Sequence, residues 1–171
     1  MRLMKTRNRF AIALAALFAG MSLASAPALS ENPEEWVKLG ARVHGGFGSF
    51  LPVGIRVGLD ALDRLGAKPR DVAVVYYDSD KAPCACVADG VAIATMASVG
   101  QRTLRVATEK APAGQMAVIV VRHKKSGKTL RYSIAETWLP KLIEMNKNLD
   151  EIGRYDAVMK SEGLYEIAEG D

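Results

Sequence analysis

The sequence predicts an α+β domain, a mixed sheet with helices packed on one face, and three observations carry that prediction. Apolar residues recur at helical spacing over 31–43, 51–65, 135–146 and 151–161. Short β-branched runs occupy 72–77, 103–108, 116–122 and 128–133, each bounded by glycine, proline or polar breaks. Their order gives a helix-strand-helix-three-strand core closed by C-terminal helices.

The chain has 171 residues, 49% of them apolar and only 6% aromatic, so its core is aliphatic and rich in alanine. Residues 1–30 stand apart from that core. Arg2, Lys5, Arg7 and Arg9 precede the run FAIALAALFAGMSLA, and small residues follow, which is the pattern of a secretory signal peptide. Ala28 and Ser30 place cleavage before Glu31, leaving 31–171 as a single periplasmic domain with no membrane association after cleavage. The leader holds four of the 23 basic residues and none of the 19 acidic ones, so the remainder is formally neutral. Neutrality gives no support to nucleic-acid binding.

Each element has its own justification. Asn32-Pro33-Glu34-Glu35 reads as cap, first-turn proline and first-turn acids, opening a helix whose apolar residues are Trp36, Val37, Leu39 and Val43. The loop from His44 to Ser49, with Gly45, Gly46 and Gly48, leads into a second helix over 51–65, where Leu51, Ile55, Leu59 and Leu62 share a face and Gly66 caps the end. Val72–Tyr77 is a buried strand. An alanine-rich segment from about Cys84 to Val99, ended by Gly100, predicts a helix packed closely on the sheet. Three strands follow, the last two joined by the polar hairpin His123–Gly127. Pro140 should kink the helix over 135–146 or mark a restart, and Leu164–Ile167 forms a short docking strand.

Candidate chemistry gathers around the two cysteines. Cys86 and Asp89 lie three apart, so a helix presents both on one face; thiolate and carboxylate are both metal ligands, and Cys84 would add a second sulfur. The structural alternative is a packed thiol and a first-turn acid that favours the helix dipole. A bond between Cys84 and Cys86 would close a very small ring, so thiols that hold something, or a labile redox pair, are expected in place of a staple. His44 sits in a glycine-rich loop that can approach a ligand or simply end a helix. His123 reads as a solvated turn residue, Asp78 and Asp80 as a solvated loop, and Arg56 as a cation that snorkels or pairs. No nucleophile elbow, H-E-x-x-H pair or C-x-x-C motif is present, so no catalytic residue is assigned.

These residues also carry a resemblance. The stretch His44-Gly45-Gly46-Phe47-Gly48-Ser49-Phe50, with Gly54 and Arg56, is similar to the signature H-G-H-x-C-P-G-x-x-x-G-x-R of the formylmethanofuran dehydrogenase E-subunit family. Cys86, Asp89, Thr95, Ser98, Gly100 and Leu104 fall without a gap on its second signature, C-x-x-D-A-I-Q-x-x-T-G-C-T-x-G-x-x-x-L. The resemblance extends from about Val37 to Leu142. It implies a mixed-sheet α+β fold, a homodimer, and a pocket binding zinc or another transition metal. His44, Cys86 and Asp89 carry over as ligands, with Cys84 as an added thiol. Gly45, Gly46, Gly48, Arg56, Thr95, Ala97 and Ser98 would line the pocket. Gly46, Gly48 and Ala97 replace family ligand residues, leaving space for haem or another bulky ligand. The leading expectation is an exported, non-catalytic module that binds a metal or small-molecule cofactor. The alternatives are an interaction module that kept the fold and lost the site, and a thiol-dependent redox enzyme using Cys86.

Overall fold

The computed structural model describes residues 31–170; the expected leader and its expected cleavage site lie outside them. Helix α1 (Pro33–His44) begins as its sequence dictates. The Asn32 side chain accepts from the Glu35 amide and the Glu35 carboxylate accepts from the Asn32 amide, satisfying two end donors reciprocally. Gly45 ends it at φ 87°, a left-handed conformation in which its amide reaches the Ala41 carbonyl. Helix α2 (Phe50–Leu65) is deeply buried, with Leu51, Val53, Ile55, Val57 and Ala61 all without exposure.

Strand β1 (Val72–Asp78), helix α3 (Cys86–Thr95), and strands β2 (Leu104–Val106), β3 (Gln115–His123) and β4 (Thr129–Ala135) follow. Helices α4 (Trp138–Asn148) and α5 (Glu151–Lys160) and strand β5 (Glu166–Gly170) complete the order. The five-stranded sheet runs β2-β1-β3-β4-β5; β1 and β2 are parallel and the other pairs antiparallel, so the sheet is mixed. Alternation along the strands sends Val72, Val74 and Tyr76, Ile119 and Val121, and Leu130, Tyr132 and Ile134 into a single core shared with the helices. The architecture is the α+β fold expected from the sequence.

α2 and α3 pack side by side through glycine. A Cβ at Gly54 would overlap the Val87 carbonyl oxygen, one at Gly90 the Leu51 carbonyl oxygen, and one at Gly58 would crowd Ala94. Backbone therefore lies on backbone, and this seam fixes where the start of α3 sits relative to the loop before α2.

Three boundaries depart from expectation. α3 covers 86–95 and not 84–99, because Met96 adopts φ 55° and the Thr95 hydroxyl accepts from the Ala97 amide, ending the helix well before Gly100. Pro140 does not kink α4. It is the third residue of a helix that starts at Trp138, within the first turn where no intrahelical donor is needed, and β4 claims Ala135. The docking strand begins at Glu166, while Leu164 is buried in the core.

Candidate functional site

The first turn of α3 and the end of α1 bring four side chains together. Cys84 and Ala85 precede α3 and Cys86 is its first residue, so the chain turns at this point and does not spiral. That turn sets the α-carbons of Cys84 and Cys86 5.2 Å apart, within disulfide reach, and the two sulfurs are bonded. The expectation that so short a spacing disfavours a bond is thereby corrected. It rested on the small size of the ring, which the turn ahead of α3 accommodates; the labile redox pair named as the other possibility is compatible with the bonded state.

One ligand atom from each of His44, Cys84 and Cys86 falls within 4.8 Å of the others. Sulfur atoms bound to one tetrahedral zinc at about 2.3 Å stand roughly 3.8 Å apart. Once the sulfur–sulfur bond is reduced, two thiolates and an imidazole at this spacing suit zinc or another thiophilic transition metal. Asp89 is not one of these three. Its Oδ2 lies 2.7 Å from His44 Nδ1, so the carboxylate accepts from Nδ1 and leaves Nε2 as the free ring nitrogen. A carboxylate behind a histidine fixes ring orientation and raises ligand basicity. Cys86 is buried and Cys84 half-buried, whereas the side chains of His44 and Asp89 are 28% and 41% exposed. The cluster therefore sits at the surface with one sulfur anchored in the core.

The glycine loop divides by role. Gly45 is the left-handed cap, a Cβ at Gly46 would meet nothing within 4 Å, and one at Gly48 would touch the Asn146 amide oxygen at 3.4 Å. Asn146 Oδ1 accepts from the Ser49 amide at 2.7 Å, and the Ser49 hydroxyl donates to the Leu142 carbonyl at 2.6 Å. Arg154 Nη1 donates to the Phe47 carbonyl at 3.0 Å, and its Nη2 donates to the Asn146 carbonyl at 2.9 Å. Asn146 and Arg154 thus pin the loop that carries His44. Sequence reasoning missed both, because their partners lie 97 and 107 positions away and no local spacing signals them.

The remaining residues expected in the pocket lie elsewhere. Thr95 ends α3, nine residues beyond Cys86, which is about 13 Å along the axis. Its hydroxyl donates to the Val91 carbonyl, and Ala97 is buried behind it. The Ser98 carbonyl and hydroxyl accept from Thr103 and Gln101 amides, shaping the turn into β2. Arg56 Nη1 donates to the Val158 and Ser161 carbonyls while its guanidinium lies over the Tyr165 ring, so it fastens the end of α5 to α2. The structure gathers His44, Cys84, Cys86 and Asp89, with Gly45 and Gly46 beside them. It does not gather Arg56, Thr95, Ala97 or Ser98.

The family model described as "FmdE, Molybdenum formylmethanofuran dehydrogenase operon" matches residues 43–163, from the residue before His44 into the segment after α5. No curated protein matches the chain. The match covers both signature regions, the seam between them and most of the sheet, and the chain belongs to the FmdE family.

Proposed function

We propose that this protein is an exported FmdE-type module that holds a thiophilic transition metal, zinc foremost, between Cys84, Cys86 and His44, with Asp89 orienting the imidazole. The convergence of three ligand atoms within 4.8 Å carries the reading. Cys84 replaces a ligand that the family pattern would supply from Gly46, Gly48 or Ala97. The first turn of α3 supports an anionic ligand set, since the positive end of the helix points at it. Export rests on the basic and apolar residues of the first thirty positions. The role is binding without catalysis.

The test is metal uptake by the full chain after reduction with a phosphine. One equivalent of zinc per chain is expected, with cobalt in its place giving a sulfur-to-metal absorption band. Cys86→Ala should abolish both, and Asp89→Asn should weaken affinity about tenfold. A reduced protein that takes up no stoichiometric metal, with stability unmoved by Cys86→Ala, would sink the reading.

The closed Cys84–Cys86 bond favours a second reading, a dithiol–disulfide couple. An incoming dithiol would break that bond, becoming a disulfide itself while two electrons and two protons pass to Cys84 and Cys86. Metal-independent turnover of a disulfide substrate, lost in both Cys84→Ser and Cys86→Ser, would select it over the metal site.

A further inference from the structure

The sheet has a second face, and helices α1–α5 all contribute to the core on the other one. Along β1 the pleat sends Ala73 and Val75 away from that core, while Val72 and Val74 enter it. Register then sets the neighbours on the outer face: Arg105 of β2 stands opposite Val75, and Arg122 of β3 stands opposite Ala73. Two arginines therefore flank β1 from either side, and the small Ala73 leaves depth between them. Arg102, held at φ 56° in the turn before β2, joins them. With Thr103, Leu104, Val120 and Thr129 these residues line a cleft of about 280 Å³.

The charge in this cleft is unbalanced. No carboxylate lines it, and among the described residues none of the three guanidiniums forms an ion pair. Arg102, Arg105 and Arg122 come from a turn and two separate strands, so helical or hairpin periodicity does not explain their grouping. The domain as a whole is formally neutral with these three arginines counted, so the remainder carries a formal excess of three acidic residues and the positive charge here is local. Guanidinium forks match carboxylate and phosphate oxygens in bidentate geometry, and the floor of Ala73, Val75 and Val120 is apolar.

We propose that this cleft binds a small organic polyanion, with two or more carboxylate or phosphate groups on a short apolar body. The cleft holds a molecule of metabolite size and lies at the β2 side of the sheet, where the far end of α3 feeds in. It is a site separate from the cysteine cluster and does not depend on metal.

Calorimetric titration of the full chain at low salt tests it, with citrate as the polycarboxylate probe and pyrophosphate as the phosphate probe. One-site binding with Kd below about 1 mM is expected for at least one probe. Arg105→Ala/Arg122→Ala should weaken it at least about tenfold, while Lys124→Ala/Lys125→Ala, which removes equal charge from the neighbouring hairpin, should leave it within about twofold. Tighter citrate binding identifies a polycarboxylate ligand and tighter pyrophosphate binding a phosphorylated one. All four substituted side chains are on exposed residues, and unchanged melting temperatures would confirm intact folding. Absence of saturable binding to either probe, or equal loss in both double variants, overturns the proposal. So does a shift in oligomeric state confined to the arginine variant, since a second copy would then cover this face.

Discussion

The two ends of α3 carry the two halves of one family signature, and they do different things. At the first turn, Cys86 and Asp89 meet Cys84 and His44 near solvent, with a carboxylate behind the imidazole. At the last turn, Thr95, Ala97 and Ser98 are buried or spend their hydrogen bonds on the bend into β2. The glycine seam with α2 joins them. A signature that reads as one site in the sequence is here a ligand cluster, a packing rail and a turn in succession.

The seam is the feature whose loss should cost most. Gly90→Ala drives a methyl into the Leu51 carbonyl and should destabilise the fold by about 3 kcal/mol, with both ends of α3 displaced; chemical denaturation combined with metal titration would show the joint effect. Asn146→Ala should act on one end alone. It strips the buried Ser49 amide of its acceptor, costs about 2 kcal/mol, and lowers metal affinity by loosening the loop that bears His44. Thr95→Val is the converse, costing about 1 kcal/mol through the lost turn hydrogen bonds while metal affinity stays the same. If Thr95→Val changed metal binding as strongly as Asn146→Ala, the two ends would be one site after all.

The smallest effect at neutral pH lies away from both ends. The Tyr132 hydroxyl donates to Asp60 Oδ2 at 2.6 Å, and burial followed by the bonded carboxylate raises the phenol well above its usual range. Tyr76, buried and beside Asp78, is raised as well. Above a pH of about 10 the unfolded tyrosines ionise while the folded ones keep their protons, so the stability they lend is present below that pH and lost as pH rises past it. Tyr132→Phe should flatten the alkaline fall in melting temperature and leave metal affinity unchanged.

Most of the fold was legible because its determinants are local. The Asn32–Glu35 cap, the Gly66 stop and the short apolar, β-branched run of Val72–Tyr77 each follow from residues within a turn or a pleat of one another. The boundaries that moved did so for local reasons that composition hides: a non-glycine residue, Met96, in left-handed geometry, and a proline early enough in α4 to be harmless. For the site, spacing alone paired Cys86 with Asp89 but could not say that Asp89 serves His44 and stands outside the His44, Cys84 and Cys86 group. That assignment depends on α1 ending beside α3, 45 positions away. Asn146 and Arg154 were invisible for the same reason, as was the arginine cleft, which exists only once the register of three strands is set.

The outermost strands bear on how this protein can meet anything else. β2 has only three residues, two of them exposed, and β5 carries Glu166 and Glu169 among its five residues. Brevity at one margin and negative charge at the other make both poor templates for a sixth strand, which guards the sheet against edge-to-edge aggregation. A visiting chain or ligand is thereby steered from the margins onto the broad surface of the sheet.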